Sequence, residues 1–234
     1  MKNSLILASL FCLSVSYGQI KSGNVFFGPS IKFSTNDQSN ESLPNNQNQS
    51  KNSSVGFDSY LRAGYFLKDN FVVGLMGGYG ASSAKYEQKG IDYTRNGKDY
   101  SNSTSFGVFT RLYKLTNQNK LGVFGQLTAT YGFGKSNSTS ISESSIYPSM
   151  TNKWTGEGDQ WGLNVGLQTG LVYFITEKIG IEMSFGNLYY NNSTNQSYSN
   201  GVKTIKTKSS GLNLDLGLRS LYLGFNIYFG GKKA

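Results

Sequence analysis

Trp161-Gly162-Leu163-Asn164-Val165-Gly166-Leu167-Gln168-Thr169-Gly170-Leu171-Val172-Tyr173-Phe174 decides the fold. Trp161, Leu163, Val165, Leu167, Leu171 and Tyr173 fall on one parity, and Gly162, Asn164, Gly166, Gln168 and Gly170 fall on the other. A period of two sustained over such a stretch means an extended strand with two unlike faces. A helix would return its apolar residues at intervals of three and four.

The same alternation recurs on both sides of this segment. A first strand is predicted over 23–35, with Val25, Phe27, Ile31 and Phe33 on its oily side. A second, over 55–67, sets Val55, Phe57, Leu61, Ala63 and Tyr65 against Asp58, Tyr60, Arg62 and Gly64. The third (71–82) carries Phe71, Val73, Leu75 and Tyr79; the fourth (103–114) carries Phe106, Val108 and Leu112. The fifth (121–134) sets Leu121, Val123, Leu127, Ala129, Tyr131 and Phe133 against Gln126, Thr128 and Thr130, and 161–174 is the sixth. A seventh (179–189) offers Ile179, Ile181, Met183 and Phe185. The last, Leu212 to Phe229, changes phase from even to odd, which predicts a β-bulge near Arg219-Ser220.

Three connections are short (68–70, 116–120, 176–178), and four are long and rich in Asn, Ser, Gln and Lys (36–54, 83–102, 135–160, 190–210). Strict alternation of long and short puts every long loop at one end. An all-β, eight-stranded antiparallel up-and-down barrel with four long surface loops and short periplasmic turns fits this layout. About 11 residues per strand, tilted by about 40°, span roughly 25–28 Å, the height of an outer-membrane apolar band. A soluble calyx also has eight strands, with its oily rows turned inward. Three features favour the membrane. Aromatics gather near the ends of the oily rows: Tyr79, Tyr131, Phe133 and Trp161 at the loop end, and Tyr65, Phe71, Tyr173 and Phe229 at the turn end. The opposite rows are rich in Gly and Ser, as a narrow lumen requires, and long loops come without disulfides.

The chain begins Met1-Lys2-Asn3, runs apolar from Leu5 to Val15, and continues Ser16-Tyr17-Gly18-Gln19. This reads as a secretory signal over 1–18, followed by one barrel domain over 19–234. The single cysteine, Cys12, lies inside the signal, where the bulky Phe11 argues against lipidation, and there is no histidine. The mature chain therefore has no disulfide, no Cys/His metal site and no histidine base, so no catalytic residue, metal or cofactor is expected. Only 15% of residues are charged, far below a soluble surface. The net charge of +9 is scattered along an exported chain, which argues against nucleic acid as a partner.

With these strands stand Phe109-Thr110-Arg111-Leu112-Tyr113, the restart Lys120-Leu121-Gly122-Val123-Phe124-Gly125, and the closing Leu223-Gly224-Phe225-Asn226-Ile227-Tyr228-Phe229. In these motifs and their order, the chain resembles the small outer-membrane β-barrel proteins of Gram-negative bacteria, the OmpX/OmpA-transmembrane-like group, and most of all the version common in Bacteroidetes. The resemblance covers essentially the whole mature chain. It implies residence in the cell outer membrane and insertion by the barrel-assembly machinery, which in that group reads a terminal aromatic. Here Gly230-Gly231-Lys232-Lys233-Ala234 follows Phe229, a departure from that pattern.

The inward rows carry Lys32, Asp58, Arg62, Arg111, Glu182 and Asp215, with Arg219 beside them. An eight-stranded lumen is just wide enough for side chains, so these charges are expected to pair into a polar plug, with Glu182 and Asp215 serving Arg62 and Arg111. A gated ion path is the competing reading. Glycines Gly74 to Gly80 and the Gly134-Lys135-Ser136 triplet lack the helix or first glycine of a nucleotide loop. Loop lysines such as Lys51, Lys85, Lys98 and Lys135 are solvated or meet phosphates of lipopolysaccharide in the outer leaflet. The expected role is that of a membrane anchor presenting surface loops to lipid or a surface protein partner, without catalysis. Narrow passage of small solutes, or service in a secretion or gliding assembly, are the alternatives.

Overall fold

The computed structural model describes residues 20–41, 49–116, 120–144, 146, 151–199, 202–216 and 221–230. The predicted signal with Cys12, the end of the tail, and the expected bulge at Arg219-Ser220 lie outside the described residues. Among the described residues nine strands follow one another: β1 (Val25–Glu41), β2 (Gln49–Lys68), β3 (Phe71–Lys89), β4 (Tyr93–Leu115), β5 (Leu121–Ser144), β6 (Thr151–Thr176), β7 (Ile179–Ser199), β8 (Val202–Asp215) and β9 (Tyr222–Phe229). Each pairs antiparallel with the next from β1 to β7, and β7 closes back on β1 through β9. β8 continues along the same edge of β7 beyond β9. β8 and β9 are thus two pieces of one stave, and the barrel has eight.

Outward residues form continuous rows around the wall. One runs Phe27, Ala63, Leu75, Val108, Ala129, Val165, Tyr190 and Leu212, while Phe27 faces Ile227 on its other side. The row leaves the last stave at Ile227 and returns to it at Leu212. This stagger is what tilts the strands of a closed barrel. The oily rows face out: Leu75 is 68% exposed and Phe33 is 70% exposed, and Leu61, Val108, Leu127, Leu167, Ile181 and Leu223 join them on the surface. An apolar skin of this extent is stable only against hydrocarbon, so the chain is a transmembrane β-barrel rather than a soluble calyx.

The strands are longer than their apolar alternation indicates. The stretches 49–54, 83–89, 93–102, 135–144, 151–160, 190–199 and 202–210, read from composition as surface loops, are paired strand. β6 alone has 26 residues, which at the usual rise and tilt reach about 65 Å, well beyond an apolar band of about 25 Å. Ser and Thr hydroxyls link these polar ladders, as between Ser82 and Ser101 at 2.7 Å and between Ser193 and Ser209 at 2.9 Å. The surface connections are therefore hairpins that stand on the barrel rather than loose loops.

Two irregularities keep the oily face outward. In β7 the apolar parity changes between Phe185 and Leu188, and Gly186 sits there as an extra residue with φ 68°. On the final stave, Leu212 and Leu214 face out on even numbers, and Leu223 and Phe225 on odd ones. At the short end, the Asp69-Asn70 turn uses Asn70 at φ 66°, a conformation Asn tolerates better than most residues. Residues 20–24 fold under this turn: Asn70 N donates to Ile20 O at 2.9 Å, and Gly23 N donates to Phe66 O at 2.9 Å.

Candidate functional site in the barrel lumen

The lumen is built in three layers. At the turn end, Phe26, Phe66, Val72, Phe109, Tyr113, Phe124, Val172, Phe174 and Tyr228 fill the bore, and Ile20 from the N-terminal segment closes it from below. These are the inward positions of the same alternation, and Phe26, Phe66 and Val72 are fully buried. Their rings meet at tilted and edge contacts, such as Phe26 with Phe109 at 5.9 Å and Phe174 with Tyr228 at 5.4 Å. Glycines on neighbouring staves make the room. A Cβ at Gly170 would stand 2.4 Å from the Phe124 ring.

Above this floor lies an ionic layer. The Glu182 carboxylate accepts from Arg62 through Oε1, and from Arg111 Nη1 through Oε2 at 2.6 Å. Arg111 Nε donates to Gln126 Oε1 at 2.8 Å, and Asn226 Nδ2 donates to Glu182 at 2.8 Å. Tyr113 Oη takes a further Arg111 N–H at 3.0 Å. The Arg111 guanidinium lies 4.0 Å from the centre of the Phe124 ring, so its flat face rests on the aromatic floor while its edge holds the carboxylate. Register explains the assembly: Arg111 pairs across strands with Gln126, and Glu182 with Gly224. A Cβ at Gly224 would come within 2.6 Å of Glu182, so only glycine leaves the carboxylate its place. All charges and most amide atoms here are satisfied, as a buried polar network must be.

Beyond the ionic layer the bore widens into a vestibule open at the hairpin end, with a volume of about 580 Å³. Its wall is polar, with Thr128, Thr130, Asn164, Gln168 and Asn187 among its residues. Lys32 and Asp58 pair across β1 and β2 at 3.8 Å, and the Lys32 ammonium lies 5.2 Å from the centre of the Tyr222 ring.

Of the six charged residues expected in the lumen, the structure brings Arg62, Arg111 and Glu182 into one cluster and Lys32 and Asp58 into a pair above it. Asp215, expected beside the arginines, instead lines the vestibule. It pairs with Asn187, five residues along β7 from Glu182, a separation of about 17 Å on an extended strand. Glu182 thus serves both arginines. Gln126, Asn226 and Tyr113 complete the layer; their signal in the sequence is only that polar atoms stand on inward rows.

The aromatics expected at the two membrane interfaces lie on the outer face. Tyr65 and Phe229 both flank Val25 at the turn end, where Tyr173 is also exposed and Phe71 pairs with Leu112. Toward the hairpins, Trp161 faces Phe133, Tyr131 meets Phe106 in a tilted contact at 5.9 Å, and Tyr79 is half-exposed. Among the described residues, no group of His, Cys, Asp and Glu stands together as metal ligands would.

No family model matches the sequence, and no curated protein matches it. Solved structures do. The outer membrane protein OprG from Pseudomonas aeruginosa is 16% identical, with 90% of this chain and 98% of that one covered and a TM-score of 0.43. A major outer membrane protein from Thermus thermophilus is 12% identical, with 88% and 99% covered and a TM-score of 0.43. Ail, the attachment invasion locus protein of Yersinia pestis, is 15% identical, with 89% and 99% covered and a TM-score of 0.31. This chain, with eight staves closed under an apolar skin, is by its own geometry a transmembrane β-barrel.

Proposed function

We propose that the protein is an outer-membrane anchor that works through the surface its hairpins present outside the cell, and that its lumen is a structural plug rather than a conduit. The observation that carries this reading is the combination of a bore filled at the turn end with strands that continue, paired, far past the apolar band. A wall-to-wall aromatic floor under a satisfied Arg–Glu–Arg cluster leaves no polar path to the periplasmic end. The rigid hairpins offer a preformed surface to a neighbouring protein or lipid, at a smaller ordering penalty than loose loops. Reconstitution into planar bilayers tests the plug: no steady single-channel current is expected. Capture of a surface protein in mild detergent, lost when the hairpin tips are shortened, tests the anchor role. It would also identify a secretion or gliding assembly if the barrel serves one.

A further inference from the structure

On the outer face of β2 and β4, apolar residues run out at Val55 and Tyr100, which share a cross-strand row through Ser83. The next outward row reads Ser53, Lys85, Lys98 and Thr139 across β2 to β5. Lys85 and Lys98 are direct partners, two exposed ammonium groups set side by side. Like charges directly opposite one another on a sheet are destabilising unless something anionic lies between them. Among the described residues neither lysine makes an ion pair. Glu87, the carboxylate next along that face, is held by Lys89 at 2.9 Å. Asp99, adjacent to Lys98 in the strand, projects to the other side of the sheet. A groove of about 520 Å³ runs over this same row, bordered by Lys51, Ser53, Lys85, Lys98 and Thr139, with Glu87 at its edge.

We propose that the Lys85–Lys98 row binds a phosphate of an anionic glycolipid anchored in the outer leaflet. The proposal rests on the outer-membrane placement given above. One outward step along a tilted strand raises the lysines about 5 Å above the last apolar row, the level at which lipid headgroups begin. The two central ammonium groups, flanked along the row by Ser53 and Thr139, then donate to a group that only accepts. The lipid's acyl chains lie down the wall against Val55 and Tyr100. The occupant supplies the anion that the sheet lacks, and charge-assisted bonds to phosphate are the strong kind.

The test uses the full mature chain in phosphatidylcholine nanodiscs: plain, with bisphosphorylated lipid A, or with dephosphorylated lipid A. Entry into the plain discs reports on membrane placement by itself, so its failure is distinguishable from failure of the site. The wild type is expected to retain the bisphosphorylated lipid through purification and to melt at higher temperature with it. Lys85→Gln with Lys98→Gln is expected to lower that retention roughly tenfold or more, while Lys203→Gln with Lys208→Gln on β8 leaves it unchanged. These are exposed side chains, and heat-modifiable migration on gels verifies that both variants fold. Equal retention by the Lys85/Lys98 variant, or equal binding of the dephosphorylated lipid, would overturn the proposal. Complete displacement by millimolar inorganic phosphate would do so too, because it would mark a free-anion site.

Discussion

Arg111 donates to Glu182 across the middle of the barrel at 2.6 Å, with the two side chains 0% and 1% exposed. A guanidinium and a carboxylate so placed are each unsupportable alone. Their mutual satisfaction, with Arg62, Gln126 and Asn226, is what lets charge stand inside a bore surrounded by lipid.

Arg111→Leu leaves Glu182 paired with Arg62 and is expected to cost less than removal of the carboxylate, which strands both guanidiniums. Glu182→Leu is expected to destabilise the folded barrel by about 3–5 kcal/mol. The loss should appear as a lower urea midpoint and lower heat resistance on gels, still with no conductance. Replacing Arg62, Arg111 and Glu182 together with methionine should recover much of that loss, since no charge is left unpaired. A triple variant weaker than Glu182→Leu would show that the cluster contributes stability of its own.

Glycines separate sharply by what lies over them: lumen side chains at inward Gly170 and Gly224, open space at outward-facing Gly125. Gly170→Ala would push a methyl into the Phe124 ring, and Gly224→Ala into the Glu182 side chain. Each is expected to destabilise by about 1–3 kcal/mol in urea titration. Gly125→Ala, where a Cβ meets nothing within 4 Å, is expected to be neutral. Equal effects at all three positions would mean that backbone freedom, not lumen space, selects glycine.

Gly186 is the extra residue that moves the oily row of β7 from odd to even numbers at a positive φ. Gly186→Val is expected to destabilise by about 1–3 kcal/mol through backbone strain. Deleting Gly186 should do more harm, because Leu188 and Tyr190 would then turn inward and Asn187 and Tyr189 outward. Wild-type folding yield in the deletion variant would contradict the bulge.

Much of this architecture is legible in the sequence, and the parts that are not share a cause. Rows such as Leu163, Val165 and Leu167 announce strands because one face is oily and the other is not. Where both faces are polar, as in 190–199 or 202–210, the alternation has no contrast. What makes those residues strand is the ladder to a neighbour, which a single sequence does not display. The inward charges stand out among Gly and Ser, so Arg62, Arg111 and Glu182 are readable as partners. Gln126 and Asn226 are not, because neutral amides abound throughout this chain. Asp215 has the right charge and parity but stands too far along its stave, and height depends on stagger. The Gly186 bulge did leave a trace, the phase change between Phe185 and Leu188, the same signal that points to an irregularity before Leu221.

Midway up the wall, Leu75 faces out and is 68% exposed. Leu75→Arg should cost about 2–4 kcal/mol in refolding into bilayers, whereas Lys85→Arg, above the apolar rows, should change stability little. A harmless arginine at Leu75 would place that row against water.

The central claim is that one face of every stave touches lipid while the other lines a plugged, outward-opening bore. Because residues 19–234 contain no cysteine, single-cysteine scanning of that stretch in bilayers tests it most directly. Cysteines replacing Leu75, Val108 and Leu167 should be quenched by spin labels buried in the acyl region and be spared by a membrane-impermeant maleimide. Those replacing Thr130 and Asn164 should react with the maleimide from the vestibule, and one replacing Phe109 should respond to neither. The reverse pattern, with Leu75, Val108 and Leu167 shielded from lipid and Thr130 and Asn164 quenched by it, would contradict the account.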